Sequence, residues 1–174
     1  MIESIRPIYG QGTFVVCENG DVLQEVIFDY VDEELYYWRL MDSEEELNKE
    51  LDKVVSNMQS FIDEEVVKIN GKRVFPRVIG VDLGFRGFEN RPYITFYITF
   101  KGSLRKGMNV YEDTYKPDSV EYDYTVTWIF TGNLKVLKAY LGVGYDILAD
   151  GRILTFSISK GFITPGYERI EFTL

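Results

Sequence analysis

A chain of 174 residues that is 45% hydrophobic and 27% charged has the composition of an ordinary folded domain able to bury a sizeable core. Its formal net charge of −9 repels phosphate backbones, so nucleic-acid binding is disfavoured, and the one basic cluster, Lys101, Arg105 and Lys106, reads as a solvated loop. There is no histidine and a single cysteine, Cys17, which excludes Ser-His-Asp and Cys-His catalysis, histidine-bearing zinc sites and an intrachain disulfide.

The opening residues, MIESIRPIYG, have neither a basic start nor an apolar h-region, and no apolar run reaches the roughly 18 residues of a membrane span. A cytoplasmic protein with no membrane partner is expected, folded as a single α+β domain over residues 1–174. Cys17 lies in the alternating stretch FVVCENG and suits a small buried side chain. Asn19-Gly20 then predicts a two-residue turn pairing FVVC with DVLQEVIF, because both residues tolerate positive φ. The next stretch, VIFDYVDEELYYWRLM, reads as two strands joined at Val31 to Glu33.

Leu47, Leu51, Val54, Met58 and Phe61 or Ile62 recur at helical spacing and predict one long amphipathic helix from Ser43 to about Glu65. Ser43 with Glu46 forms a capping box, and Glu44 to Glu46 place negative charge at the positive end of the helix dipole. Beyond it the period is two. Asn70-Gly71, Gly132-Asn133 and Asp150-Gly151 predict antiparallel pairing of VVKI with KRVF, YTVTWIF with LKVLKAYL, and YDILA with RILTFSI. Ile94, Phe96, Ile98 and Phe100 share one strand face, and Tyr93, Thr95, Tyr97 and Thr99 the wetter other. Tyr122, Tyr124, Val126, Trp128 and Phe130 form another apolar face, as do Leu154, Phe156 and Ile158, and Ile170, Phe172 and Leu174. From Lys101 to Val120, Gly102, Gly107 and Pro117 predict a long connection.

These elements sum to an α+β fold: a large, mainly antiparallel, strongly curved sheet of roughly eight to ten strands packed around one long helix. The element order resembles the helix-gripping hot-dog and START-like domains, although the C-terminal helix of the START-like version is missing. That resemblance rests on order alone and carries no motif.

The chemical motifs are sparse. GSLRKGMN, from Gly102 to Asn109, has the glycine spacing of a P-loop, but Met108 and Asn109 stand where Lys and Ser or Thr are required. VIGVDLGFRG, from Val78 to Gly87, resembles the first strand of ribonuclease H-like and actin-like ATPase folds, which implies that Asp82 holds a metal ion or faces a phosphate; in a carboxylate-based hydrolase or lyase Asp82 would be metal ligand or base and Arg86 anion partner. The resemblance covers only about ten residues, and period two turns Asp82 away from Ile79, Val81 and Leu83, so an exposed strand-end carboxylate is the favoured reading. Acid clusters at Asp32, Glu33 and Glu34, and at Glu112, Asp113, Asp118, Glu121 and Asp123, match no EF-hand pattern and read as solvated turns. No metal site and no cofactor are assigned.

Aromatic residues make up 16% of the chain. Most read as core; Tyr93, Tyr97, Tyr36, Tyr122 and Tyr124 are the candidates for a ligand or interface surface. The expected function is non-enzymatic binding or protein interaction through an aromatic-rich sheet surface, with a homodimer or a protein as partner. Two alternatives stand beside it: a carboxylate-based, metal-dependent or metal-free hydrolase or lyase, and a carrier of a small hydrophobic ligand between sheet and helix.

Overall fold

The computed structural model describes residues 5–174; the first four residues of the MIESIRPIYG stretch lie outside that range. The chain opens with strands β1 (Ile5–Val16) and β2 (Asp21–Asp32), followed by helices α1 (Tyr36–Leu40) and α2 (Glu44–Asp63). Strands β3 (Val66–Ile69), β4 (Lys72–Arg73), β5 (Arg77–Phe85), β6 (Pro92–Lys101) and β7 (Met108–Thr114) come next. The remainder is β8 (Asp123–Phe130), β9 (Lys135–Tyr140), β10 (Asp146–Leu148), β11 (Ile153–Ile158) and β12 (Tyr167–Thr173).

The strands form two sheets, one of seven strands in the order β10-β11-β8-β1-β2-β6-β5 and one of five in the order β4-β3-β7-β12-β9. Every pairing is antiparallel except β1 with β8, where Gly10 lies beside Tyr124 and Gly12 beside Val126 in parallel register. The expected α+β fold, one strongly curved sheet around one long helix, is therefore overturned. The protein is mainly β, neither sheet curls on itself, and no helix lies at its centre.

Local chemistry explains each departure. At Gly132-Asn133 no hairpin forms: Thr131 still donates its N–H to Val16 of β1, Asn133 donates its own to Glu18, and the chain crosses to the other sheet as β9. Leu134, with no exposed surface, is buried between the sheets at the crossing. The expected second strand in ELYYWRLM is instead α1, because the Asp32 carboxylate accepts the Tyr37 N–H at 2.9 Å and Leu35 takes φ 57°. The connection from Lys101 to Val120 contains β7, held between β3 and β12. Its preceding loop is fastened by Asn109, whose amide donates to the Arg105 and Gly107 carbonyls and accepts from the Asn70 amide and the Arg105 N–H.

One face of the larger sheet is covered by two different elements. The smaller sheet covers β8, β11 and β1, giving a core that includes Val16, Trp128, Phe130, Leu154, Ile170 and Phe172. The helices cover β2, β6 and β5 with a second core of Tyr37, Leu40, Ile62, Ile94, Phe96 and Ile98. Ser43 caps α2 by accepting the Glu46 N–H. The opposite face carries a hydroxyl ladder, with Tyr9 bonded to Thr125, Thr125 to Ser157 and Thr127 to Thr155. Among the described residues no helix is long and apolar enough to cross a membrane.

Candidate ligand-binding cavity

A cavity of about 370 Å³, open to solvent, lies where the two covers of the larger sheet meet. Strand parity builds its floor: Gly10, Gly12, Phe14 and Val16 point the same way from β1, and the first two contribute no side chain. A Cβ on Gly12 would meet nothing nearer than Val126 at 3.8 Å, so the missing side chain is empty volume. At Gly10 a Cβ would stand 3.1 Å from the Cβ of Tyr124 and 3.3 Å from the Tyr122 ring, so the Tyr122 ring lies over that glycine. Phe28 and Tyr122 meet edge to face, and Phe14 stacks on Trp128 with ring centroids 3.9 Å apart. Met58, Phe61 and Ile62 of α2 form one side wall.

The wall facing them is acidic. In the smaller sheet Val67, Asp113 and Glu168 are cross-strand neighbours on β3, β7 and β12, and Glu65 precedes Val67 by two positions at the mouth of β3. Asp113 is only 9% exposed, and its Oδ1 is buried with no hydrogen-bond partner. Glu168 accepts a hydrogen bond from the Tyr115 hydroxyl at 3.0 Å. On the outer face of the same strands the acids are paired, Arg169 bridging Glu112 and Glu171. On the inner face, no ion pair with a described residue joins Glu65, Asp113 or Glu168 to a cation.

Unpaired burial raises all three carboxyls. Glu65 is pushed up to about 8 by burial and then by repulsion from Asp113 and Glu168. Burial raises Glu168 to about 7; the Tyr115 hydrogen bond opposes the rise and Asp113 adds to it. Asp113 rises to about 6, burial outweighing the downward pull of the Thr114 backbone and Tyr111. Tyr124 is likewise pushed up to about 12 by burial, then by Glu168 and Tyr122, so it stays a protonated donor at neutral pH. The site thus offers aromatic faces, hydroxyl donors and a net negative wall poised around neutrality.

The residues named from sequence divide. Tyr122 and Tyr124 line the cavity. Tyr36 lies on the helical side, donating to Glu50 at 3.3 Å, while Tyr93 and Tyr97 belong to the opposite face of the larger sheet. The structure does not bring Tyr36 together with Tyr93 and Tyr97. Asp82 is exposed on edge strand β5, opposite Thr95, and does not line the cavity. Arg86 bonds Asp29 at 2.9 Å and stacks on the Tyr93 ring at 4.1 Å, a clasp within the outer face. Among the described residues no group of three or more Asp, Glu, Cys or His side chains is arranged to hold a metal ion.

Of the acidic wall only Asp113 stood in a cluster that looks like a solvated turn, and that acid, like Asp32 of the other cluster, is in fact buried; Glu65 and Glu168 stood in no cluster. Parity carried the missing signal. Glu168 extends the inward face of Ile170 and Phe172, Asp113 that of Tyr111, and Glu65 that of Val67 and Ile69. A charge at an inward position is the anomaly to look for.

No family model matches this chain, and no curated protein resembles it in sequence. Among solved structures it is similar to a proposed protease from Parabacteroides distasonis, at 6% identity and a TM-score of 0.37, over 100% of this chain and 41% of that one. It is also similar to an M1 zinc metallopeptidase from Deinococcus radiodurans, at 8% identity and a TM-score of 0.42, over 97% of this chain and 42% of that one. The chain spans about two fifths of the length of each, and at these scores the similarity carries no argument.

Proposed function

We propose that this protein is a small-molecule binding domain whose ligand enters the cavity between the two sheets and α2. The observation that supports this most is the paired absence of side chains at Gly10 and Gly12 beneath aromatic walls, in the interior of a sheet where strands ordinarily carry packing residues. A volume of about 370 Å³ suits a small organic molecule. The half-buried Cys17 is in keeping with a cytoplasmic setting, which belongs to the same proposal.

Filling the floor tests this reading. Gly12→Leu has room for its Cβ and should leave the fold intact while occupying the cavity. Native mass spectrometry of the purified protein is expected to show a retained molecule, lost in Gly12→Leu. NMR titration with a fragment set should shift residues around Tyr124 in the parent protein alone. Equal binding by Gly12→Leu, or shifts only outside the cavity, would remove the proposal.

A second reading, acid–base hydrolysis through carboxylates, is favoured by one observation: Glu168 and Asp113 are raised to about 7 and about 6, the range in which a carboxyl can both give and take a proton. Turnover of a chromogenic glycoside or ester panel, abolished by Glu168→Gln, would support it. No turnover would leave binding alone.

A further inference from the structure

We infer that the cavity selects an organic cation, an ammonium or amidinium group carried on an apolar body, with Asp113 as its principal anchor. The inference rests on the cavity-binding reading above and adds the chemistry of the ligand. Three observations carry it together.

First, the Asp113 carboxylate is 9% exposed, and its Oδ1 is buried with no donor. The carboxyl has only Tyr111 and the Thr114 backbone as donors and no cation, so its charge is unfavourable in place, and a cation entering the cavity beside it would offset that charge. Second, Glu65 and Glu168 flank it without a counter-ion, whereas the acids on the outer face of the same strands are paired. Third, the surface opposite is aromatic, with Phe28, Tyr122 and Tyr124, rings that attract a cation through their faces and pack against its hydrocarbon.

The elements around Asp113 bring little competing positive charge. The larger sheet presents Gln11, Gln24, Tyr122 and Tyr124 to the cavity, all neutral below about pH 10. Helix α2 presents Met58, Phe61 and Ile62, none of them titratable. Beyond β7, Tyr115 is neutral, Asp118 adds negative charge, and Lys116, exposed, is the one cation on the lining among the described residues. An anionic ligand would meet mutual repulsion on the inner wall. A neutral one would leave Asp113 unsatisfied unless it brought its own donor.

The arrangement has a thermodynamic consequence. Binding a cation favours the ionised carboxyls, so uptake releases protons and strengthens as pH rises through the range where these groups titrate.

The test uses isothermal calorimetry and NMR titration on the full chain with three probes: 2-phenylethylamine, the neutral 2-phenylethanol and the anionic 3-phenylpropionate. The amine is expected to bind at least about tenfold more tightly at pH 8 than at pH 5, since one carboxyl titrating between them supplies that factor, while the alcohol changes little. Asp113→Asn should weaken the amine by about tenfold or more and leave the alcohol unchanged. Glu168→Gln serves as a second variant should Asp113→Asn fold poorly; it is expected to lower the amine affinity and flatten its pH dependence. If amine and alcohol bind alike at both pH values, or Asp113→Asn binds the amine as the parent does, the cation inference fails and the cavity reading survives. If no probe shifts the cavity residues and Gly12→Leu behaves as the parent protein does, both fail.

Discussion

Gly84 shows how one residue's meaning changes with its neighbours. In VIGVDLGFRG it looks like turn geometry after a functional aspartate, yet it lies within β5, where a Cβ would stand 2.4 Å from the Tyr93 ring. The glycine lets Tyr93 lie flat across the sheet, where Arg86 stacks on it and reaches Asp29. Gly84→Ala should displace the ring and destabilise the protein by about 1 kcal/mol in urea unfolding. Asp82→Asn should stay within about 0.5 kcal/mol of the parent, since Asp82 is exposed on an edge strand. Ile79 illustrates the limit of parity. A bulge between Val78 and Gly80 leaves it exposed and puts Val78 on the same side as Val81 and Leu83, a shift that no alternation of residues announces.

At the scale of elements, local signals located turns and the 20-residue helix but could not assign sheets. Asn70-Gly71 and Asp150-Gly151 lie between strands that pair with each other, and Gly132-Asn133, of the same chemistry, hands the chain from one sheet to the other. A dipeptide encodes a reversal; what the returning strand pairs with depends on burial far away, here that of Leu134. β7 was obscured because Gly102 and Gly107 punctuate the sequence before it, while its order comes from Asn109, which has no exposed surface and closes the loop through its amide. Asn109→Ala should therefore cost about 3 kcal/mol by leaving several buried backbone groups unpaired, measured by chemical denaturation. Ser43→Ala, which removes one cap acceptor, should cost about 1 kcal/mol.

For the molecule as a whole, the inner acids set a direction for stability against pH. Glu65, Glu168 and Asp113 hold their protons more tightly folded than unfolded, so their contribution is fully present below the ordinary carboxylate range. It is lost as pH rises through about 6, 7 and 8 for Asp113, Glu168 and Glu65 in turn. Thermal unfolding of the ligand-free protein should thus occur on the order of 5 °C higher near pH 5 than near pH 8.5. Asp113→Asn should shrink that difference. The slope is opposite to that of a protein held by surface ion pairs, which weakens on acidification, and scanning calorimetry distinguishes the two.

The strand orders have a consequence for how the chain is made. β1 lies in the middle of the larger sheet and pairs with β8, more than a hundred positions on; β12 lies inside the smaller sheet between β7 and the edge strand β9. During synthesis neither sheet can be completed in order of emergence. β1 and β2 can zip early, but β8 is absent until about residue 130, and β7 and β9 remain apart until β12 arrives to join them. Closure so long-range makes folding a slow event of milliseconds to seconds. A chain in which β12 fails to dock would expose the edges of β7 and β9 at once, so the smaller sheet depends on this one strand to hold its halves together.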